Sequence, residues 1–432
     1  MAITGLLGWV RRPRQFIAAG LIVGTALLAA SALVATAPDV LDGVDVVRGG
    51  VQWARRAAVE VTPADDAERE TALAASVDLW SDSPDARTVT IVVDGAGRAA
   101  LDAAGIGFTE IVPDIDAVAA AERARLAQPT AQKPRGWFAE YKRFESVNNY
   151  LDTIAAVRPD LAAVERIGSS LEGRPIRAIR ISNAGPQAPA FVINGGQHAR
   201  EWISVMTTTC LADRLVRRAQ TDAAVSTLLD QMQVYIVPVA NPDGYAYSWD
   251  SDRYWRKNRR DGHGVDLNRN YPLAFGRKGS SNQKASPIYR GTHPFSEPES
   301  EALRDLVRRL PVELHIDFHS FSQLLLYPWS HTGEAAPDKR RLKAQATAMA
   351  GAIKATHGKK YDVIDGASLY PASGTMLDWV YGETQASSFV VELRPRRGDG
   401  FVLPPDQIVP TCDESLAAVL ALARHHQGNA AQ

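Results

Sequence analysis

Ala190-Phe191-Val192-Ile193-Asn194-Gly195-Gly196-Gln197-His198-Ala199-Arg200-Glu201-Trp202 is the stretch that decides the fold. The apolar run Ala190–Asn194 passes through two glycines into an apolar, helix-like segment from Glu201 to Ala219. A continuous apolar run of strand length, closed by glycine and followed by a helix, reads as a buried strand of a parallel sheet. The same alternation recurs on both sides. Ile176–Ser182, Val234–Val239, Glu313–Phe318 and Phe389–Leu393 read as strands. Val147–Val157, Glu297–Leu310, Leu342–His357 and a last segment near Glu414–His425 read as helices. The expected class is therefore α/β, a mixed, largely parallel central sheet with helices on both faces.

A small αβ unit precedes this domain. Thr88–Val93 reads as a strand, Gly95–Ala104 as a short helix ending at Gly105, Phe108–Val112 as a second strand and Ile115–Leu126 as an amphipathic helix. Upstream, residues 38 to about 75 are rich in Ala, Asp and Arg without clear periodicity, and are expected to be linker or irregular helix. Downstream, the polar, Pro-containing run Gln128–Gly136 reads as an exposed hinge. At the N-terminus, Arg11, Arg12 and Arg14 precede an uncharged apolar run from Phe16 to Ala37 with small-residue exits, the pattern of an export signal. That run is near the ~20 residues needed to span a bilayer, so an uncleaved signal anchor is the alternative. The expected division is 1–37 signal peptide or anchor, 38–132 the αβ segment with its linker, and 137–432 the main domain.

The 432 residues are 45% hydrophobic with a formal net charge of −1, a globular composition that gives no reason to expect a nucleic-acid partner. An exported chain meets oxidising conditions, so Cys210 and Cys412, the only cysteines, could pair. A buried free thiol on the apolar stretch at Cys210 is equally compatible with the sequence.

Sites in such sheets gather at the carboxyl ends of strands. His198 and Glu201, three apart at a helix start, can point to one side. An imidazole and a carboxylate suit zinc, whose catalytic sites use three protein ligands and keep one position open. The strand Glu313-Leu314-His315-Ile316-Asp317-Phe318-His319 offers the third, with His315, Asp317 and His319 on one face. His319 stands at the carboxyl end, and His315 lies ~13 Å further back at ~3.3 Å per residue. His319 is thus the expected ligand and His315 a packing histidine. Alone, His198 and Glu201 would more simply form an ion pair at a helix start.

Their company argues otherwise. Asp266-Leu267-Asn268-Arg269-Asn270-Tyr271-Pro272 is dense in donors, and Trp255-Arg256-Lys257 sets another arginine beside an aromatic. Leu369-Tyr370-Pro371-Ala372-Ser373-Gly374 carries a tyrosine, and Glu392 lies within an apolar run where an ionisable group is costly unless paired or functional. With these residues the chain resembles the zinc metallocarboxypeptidases of the carboxypeptidase A and B type. The resemblance runs from about Trp137 to the C-terminus and rests on ordered motifs. His198–Trp202, Asp266–Asn270, His319–Pro328, Tyr370–Gly374, Glu392-Leu393-Arg394 and Gly400–Pro404 all match in order. Val77–Leu126 resembles the latter part of that family's prodomain, although its first strand is not evident.

The resemblance implies one zinc ion held by His198, Glu201 and His319, Glu392 as general base and proton shuttle, and Arg256 as stabiliser of the oxyanion. It makes Asn268, Arg269 and Tyr370 the clamp on a free C-terminal carboxylate, places Arg200 and Phe321 in the neighbouring subsites, and makes Asp266 the orienter of His198. Phe321 stands where the family usually has tyrosine, Thr375 replaces a smaller residue, and Val390 replaces a common threonine. Leu377 stands where members specific for basic residues carry a carboxylate, which implies a preference for apolar C-terminal residues, with Asp365 the one acid that could turn inward. The export signal implies secretion, and the resemblance further implies peptide or protein C-termini as partners and latency relieved near Lys133 and Arg135 unless the αβ segment is a permanent accessory. Membrane association follows only from an uncleaved anchor at 16–37. A murein-peptide or acyl-amide hydrolase of the same fold would lack or alter the clamp, and a catalytically dead binding module would lack a ligand or the base.

Overall fold

The computed structural model describes residues 46–47, 50–51, 55–82, 88–128, 135–398 and 400–430. The export-signal segment 1–37 and hinge residues 129–134 lie outside them. Two units are separated, Met1–Ala54 and Arg55–Gln432. The first contributes, among the described residues, an antiparallel pairing of Val46–Val47 with Gly50–Val51. No described helix is long and apolar enough to cross a membrane.

The second unit is built on an eight-stranded mixed sheet. From edge to edge its strands are Asp362–Asp365, Leu324–Tyr327, Ser387–Leu393, Val312–Ser320, Ala190–Gly195, Gln233–Val237, Pro175–Ile181 and Ala162–Ser169. The four central strands, Ser387–Leu393 through Gln233–Val237, are mutually parallel. Antiparallel pairing enters where Leu324–Tyr327 flanks them on one side and Pro175–Ile181 on the other. Side chains alternate across this sheet as the twofold period of a strand requires. Phe191, Ile193, Leu314, Ile316 and Phe318 face one core with the helices Phe144–Val157, Trp202–Arg218, Lys339–His357 and Ile408–Ala430. Ala190, Val192 and Val237 face the other, with Leu303 and Leu306 of the helix Pro298–Arg309 and Met376, Trp379 and Val380 of Met376–Thr384. Each apolar side chain fully buried contributes about 1.5–3 kcal/mol.

The sequence reading placed five strands and missed Ala162–Ser169, Leu324–Tyr327 and Asp362–Asp365. In the αβ segment it also missed two strands. Residues 57–75 are not irregular: Ala57–Val61 is a strand and Asp66–Ala75 a helix capped by Asp65, whose side chain accepts from the Glu68 amide. Ala57–Val61 sits inside an antiparallel sheet of order Asp78–Asp82, Val89–Val93, Ala57–Val61, Phe108–Val112. Alanine has weak strand propensity, so Ala57-Ala58-Val59-Glu60-Val61 carries little local signal. One face of that sheet packs on its own helices through Ala72 and Leu101. The other buries Trp80, Val92 and Val112 with Tyr254, Phe321 and Phe401 of the main domain.

Cys210 and Cys412 form a disulfide, with Cα atoms 6.0 Å apart, joining the helix Trp202–Arg218 to the C-terminal helix. That settles the two cysteines, which the sequence left open, against a free thiol.

Candidate active site

The site forms where three parallel strands end together. Ala190–Gly195 releases the chain into a turn that positions His198, Val312–Ser320 carries His319 at its last turn, and Ser387–Leu393 carries Glu392. Register sets His319 directly opposite Glu392 and Phe318 opposite Gly195. Gly196 adopts φ +65°, and a Cβ there would lie 2.8 Å from Val205 and 3.1 Å from the Pro238 carbonyl. Only glycine makes that turn without strain.

His198 Nδ1 lies 2.8 Å from Glu201 Oε1, and His319 Nδ1 lies 3.1 Å from His198 Nδ1 and 3.0 Å from Glu201 Oε2. All three residues are buried. Two imidazole nitrogens and a carboxylate oxygen converging within 4.8 Å are the donor set that suits a catalytic zinc ion, with cleft space beside them. Burial alone would raise the Glu201 carboxyl, yet the two imidazoles hold it well below the usual range. His315 is also buried, but it faces Ser388 and Asn194 and is not among these donors. Burial lowers it to about 4, so it is neutral.

The cleft is lined by Trp80, Arg256, Asn268, Arg269, Phe321, Tyr370 and Glu392 around the three donors. Asp266 ties several of these together. Its Oδ1 is 3.1 Å from His198 Nε2 and accepts the Asn268 amide, and its Oδ2 accepts from Arg256 Nη2 at 2.9 Å. Although burial opposes it, Arg256 and its other cationic neighbours keep Asp266 well below the carboxylate range. Arg256 Nη1 reaches to 3.2 Å from His198 Nδ1, at the edge of the donor cluster. The Glu392 carboxylate has no side-chain hydrogen bond among the described residues and faces the cleft, and the loss of hydration pushes it up to about 8.

Arg269 is only 2% exposed and has no acid within salt-bridge distance among the described residues. Its Nε donates to the Gly279 carbonyl and its Nη1 to the Asn268 carbonyl, both at 2.7 Å. Tyr370 stacks its ring 5.8 Å from that guanidinium. Beside Tyr370, Leu324, Leu326, Leu369, Leu377 and Val390 form a separate apolar cluster. Asp365 stays out of it. Its side chain caps the turn Gly366–Leu369 through the Ser368 amide and lies 3.4 Å from Lys339 Nζ.

Two features escaped the sequence reading. Arg200 is fully buried by the αβ segment: it is ion-paired with Asp78 and donates to the Leu79 carbonyl at 2.9 Å. Trp80 follows directly, stacked on Tyr254 at 5.3 Å and edge-on to Phe401 at 5.3 Å. Asp317 was placed on the His319 face but given no part. It accepts from Asn194, Gln197 and His319. An acid inside an apolar strand was the available signal.

A family profile described as zinc carboxypeptidase matches residues 147–418. Carboxypeptidase A1 of Rattus norvegicus is 34% identical over 340 residues, 76% of this chain and 81% of its own length. Carboxypeptidase B of Astacus astacus is 35% identical over 296 residues, 66% of this chain and 97% of its own. Among solved structures, carboxypeptidase A from Helicoverpa armigera superposes with a TM-score of 0.79 at 29% identity, covering 87% of this chain and 98% of that one. Thrombin activatable fibrinolysis inhibitor gives 0.76 at 30% identity over 87% and 100%.

Proposed function

The chain belongs to the zinc carboxypeptidase family, and from that premise we propose that it removes a single apolar residue from the free C-terminus of peptides. The observation that carries the exopeptidase reading is the buried Arg269, which has no acid within salt-bridge distance among the described residues. A guanidinium fork matches a carboxylate bidentately. With Nε and one N–H of Nη1 given to backbone carbonyls, Nη2 and the second Nη1 N–H remain for a substrate's terminal carboxylate. Asn268 and Tyr370 flank it as further donors.

His198, Glu201 and His319 would hold one zinc ion, with Asp266 fixing the His198 tautomer through Nε2. When bound, zinc supplies Lewis acidity, acidifying water and polarising a carbonyl. Glu392, raised by burial toward neutrality, is matched to taking a proton from the attacking water and returning it to the departing amine. Arg256, braced by Asp266, points Nη1 toward the donor cluster and is placed to stabilise the oxyanion.

The apolar cluster of Leu324, Leu326, Leu369, Leu377 and Val390 favours an apolar terminal side chain, worth about 1.5–3 kcal/mol on full burial. A lysine or arginine head there would be unpaired, because Asp365 is engaged with Ser368 and Lys339. Thr375, bulkier than glycine, favours aliphatic residues over tryptophan. Segment 38–132 acts in this reading as an inhibitory cover, supported by Asp78, Leu79 and Trp80 at Arg200 and the cleft. Export through 1–37 agrees with the disulfide, since such bonds persist in oxidising compartments.

Matched blocked dipeptides ending in Leu, Phe, Trp and Arg test the function. The expected order of kcat/KM is Leu and Phe above Trp, with Arg lowest, and C-terminal amidation should abolish cleavage. Arg269→Ala should weaken free-carboxylate substrates by about 2–5 kcal/mol in kcat/KM, leaving little difference from wild type on amides. Efficient cleavage of the Arg substrate, or an intact preference for free carboxylates in Arg269→Ala, contradicts the reading.

A further inference from the structure

We propose that Asp317 is a second positioning carboxylate of the metal site, fixing His319 as Asp266 fixes His198. The proposal rests on the reading of His198, Glu201 and His319 as zinc ligands. Both histidines turn Nδ1 toward Glu201 and Nε2 away from it, each onto a buried carboxylate. His198 Nε2 is 3.1 Å from Asp266, and His319 Nε2 is 2.7 Å from Asp317 Oδ2. A hydrogen bond at Nε2 fixes the tautomer that leaves the Nδ1 lone pair free for a metal.

The backbone dictates the contact. Asp317 and His319 share a face of one strand, and Asp317 pairs directly with Asn194 on the next. Asn194 Nδ2 donates to Asp317 Oδ1 at 2.6 Å, and Gln197 Nε2 donates to Oδ2. Because the Asn194 amide nitrogen is spent on Asp317, its Oδ1 accepts from His315 Nε2 at 2.9 Å. His315 Nδ1 is then left to accept the Ser388 hydroxyl at 2.8 Å. Every donor and acceptor from Ser388 to His319 thus has one direction, which ends at the metal donors.

Charge separates this arrangement from an ordinary polar core cluster. Asp266 has Arg256 as its counter-ion, whereas Asp317 is fully buried with no lysine or arginine within salt-bridge distance among the described residues. A buried carboxylate so placed is costly unless a cation lies close by. Its nearest cation-capable neighbour is the His319 ring it touches, and across that ring the three donors converge.

The test uses the full chain and reads the metal directly. Zinc affinity is measured by equilibrium competition with a chelator, together with the visible spectrum of the cobalt(II)-substituted protein. Asp317→Asn should bind zinc about 10–100-fold more weakly and shift the cobalt spectrum. A role confined to packing would lower the unfolding midpoint of the metal-free chain and leave both metal readouts unmoved, and that result overturns the proposal. If Asp317→Asn does not fold, Gln197→Met removes one supporting donor and should weaken zinc binding severalfold, and an unaltered affinity again overturns it. His198→Ala keeps the two failures apart. Wild-type zinc affinity in that variant would mean that the ligand assignment itself is wrong, whatever Asp317 does.

Discussion

Glu392 and His319 stand opposite each other in the register of two parallel strands, so backbone pairing holds the proposed base beside the proposed metal donors. Long side chains could not hold that geometry as tightly. Glu392→Ala should therefore leave the donors in place, retaining zinc while losing about 10²–10⁴-fold in turnover. Metal content by atomic absorption and kcat on one dipeptide check both halves, and near-normal turnover removes Glu392 from the chemistry. That His319 rather than His315 lies among the converging donors was legible because strand direction separates two histidines of the same face by a full ~13 Å. What those histidines touch was not legible. The partners of His315 and Asp317 come from residues 194, 197 and 388, and cross-strand register is not written in any one strand.

Glu299, in the first turn of the helix Pro298–Arg309, shows what an element's end can do to stability. It is fully buried and accepts from the Leu171 amide and Asn258, and burial pushes its carboxyl up to about 7. Unfolded, the same group would titrate near 4.5. Between those values the unfolded chain has released a proton that the folded chain keeps, so stability falls as pH rises through that window. Glu299→Gln should match wild type near pH 4 and exceed it by up to about 3 kcal/mol at pH 8, read by denaturant unfolding at the two pH values. Equal stabilities at pH 8 would show that Glu299 is already ionised at no cost. The disulfide acts on elements further apart, closing a loop over a sequence separation of 202 residues. Replacing both cysteines by serine should cost about 2–5 kcal/mol, measured the same way under oxidising conditions. At this scale the sequence was readable at the longer strands buried on both faces, as at Ala190–Gly195, whereas Leu324–Tyr327, equally buried but only four residues long, was too short a run to stand out. Asp362–Asp365 and Ala162–Ser169 are edge strands that mix polar and apolar residues, so they give no continuous run to read.

For the whole molecule the governing contact is between the αβ segment and the cleft. Three consecutive residues do the covering: Asp78 and Leu79 occupy Arg200, and Trp80 fills the space among Tyr254, Phe321 and Phe401. If Arg200 lines a substrate subsite as proposed, a polypeptide approaching the three donors would need Arg200 and that aromatic wall. A second anchor lies outside the cleft, where Glu122 meets Arg253 at 2.5 Å with both side chains 2% exposed. Arg253 also donates to the Arg200 and Phe401 carbonyls, so this anchor is joined to the first. Breaking a buried pair by removing one partner costs about 3–5 kcal/mol, because a desolvated charge is left behind. Cutting the chain near the hinge would therefore not by itself release the segment. Limited trypsinolysis, expected at Arg135 because Pro134 protects the bond after Lys133, should leave an N-terminus at Gly136 and a partial gain in activity. The cut wild-type segment should co-elute with the catalytic domain in size-exclusion chromatography, and the cut Glu122→Ala protein should separate and reach full activity. In the uncut chain, Trp80→Ala should raise hydrolysis of long peptides more than of dipeptides, since the proposed function has the substrate chain leave the cleft past this tryptophan. Full activity of the uncut wild-type chain on long peptides would instead make segment 38–132 a permanent accessory that substrate displaces.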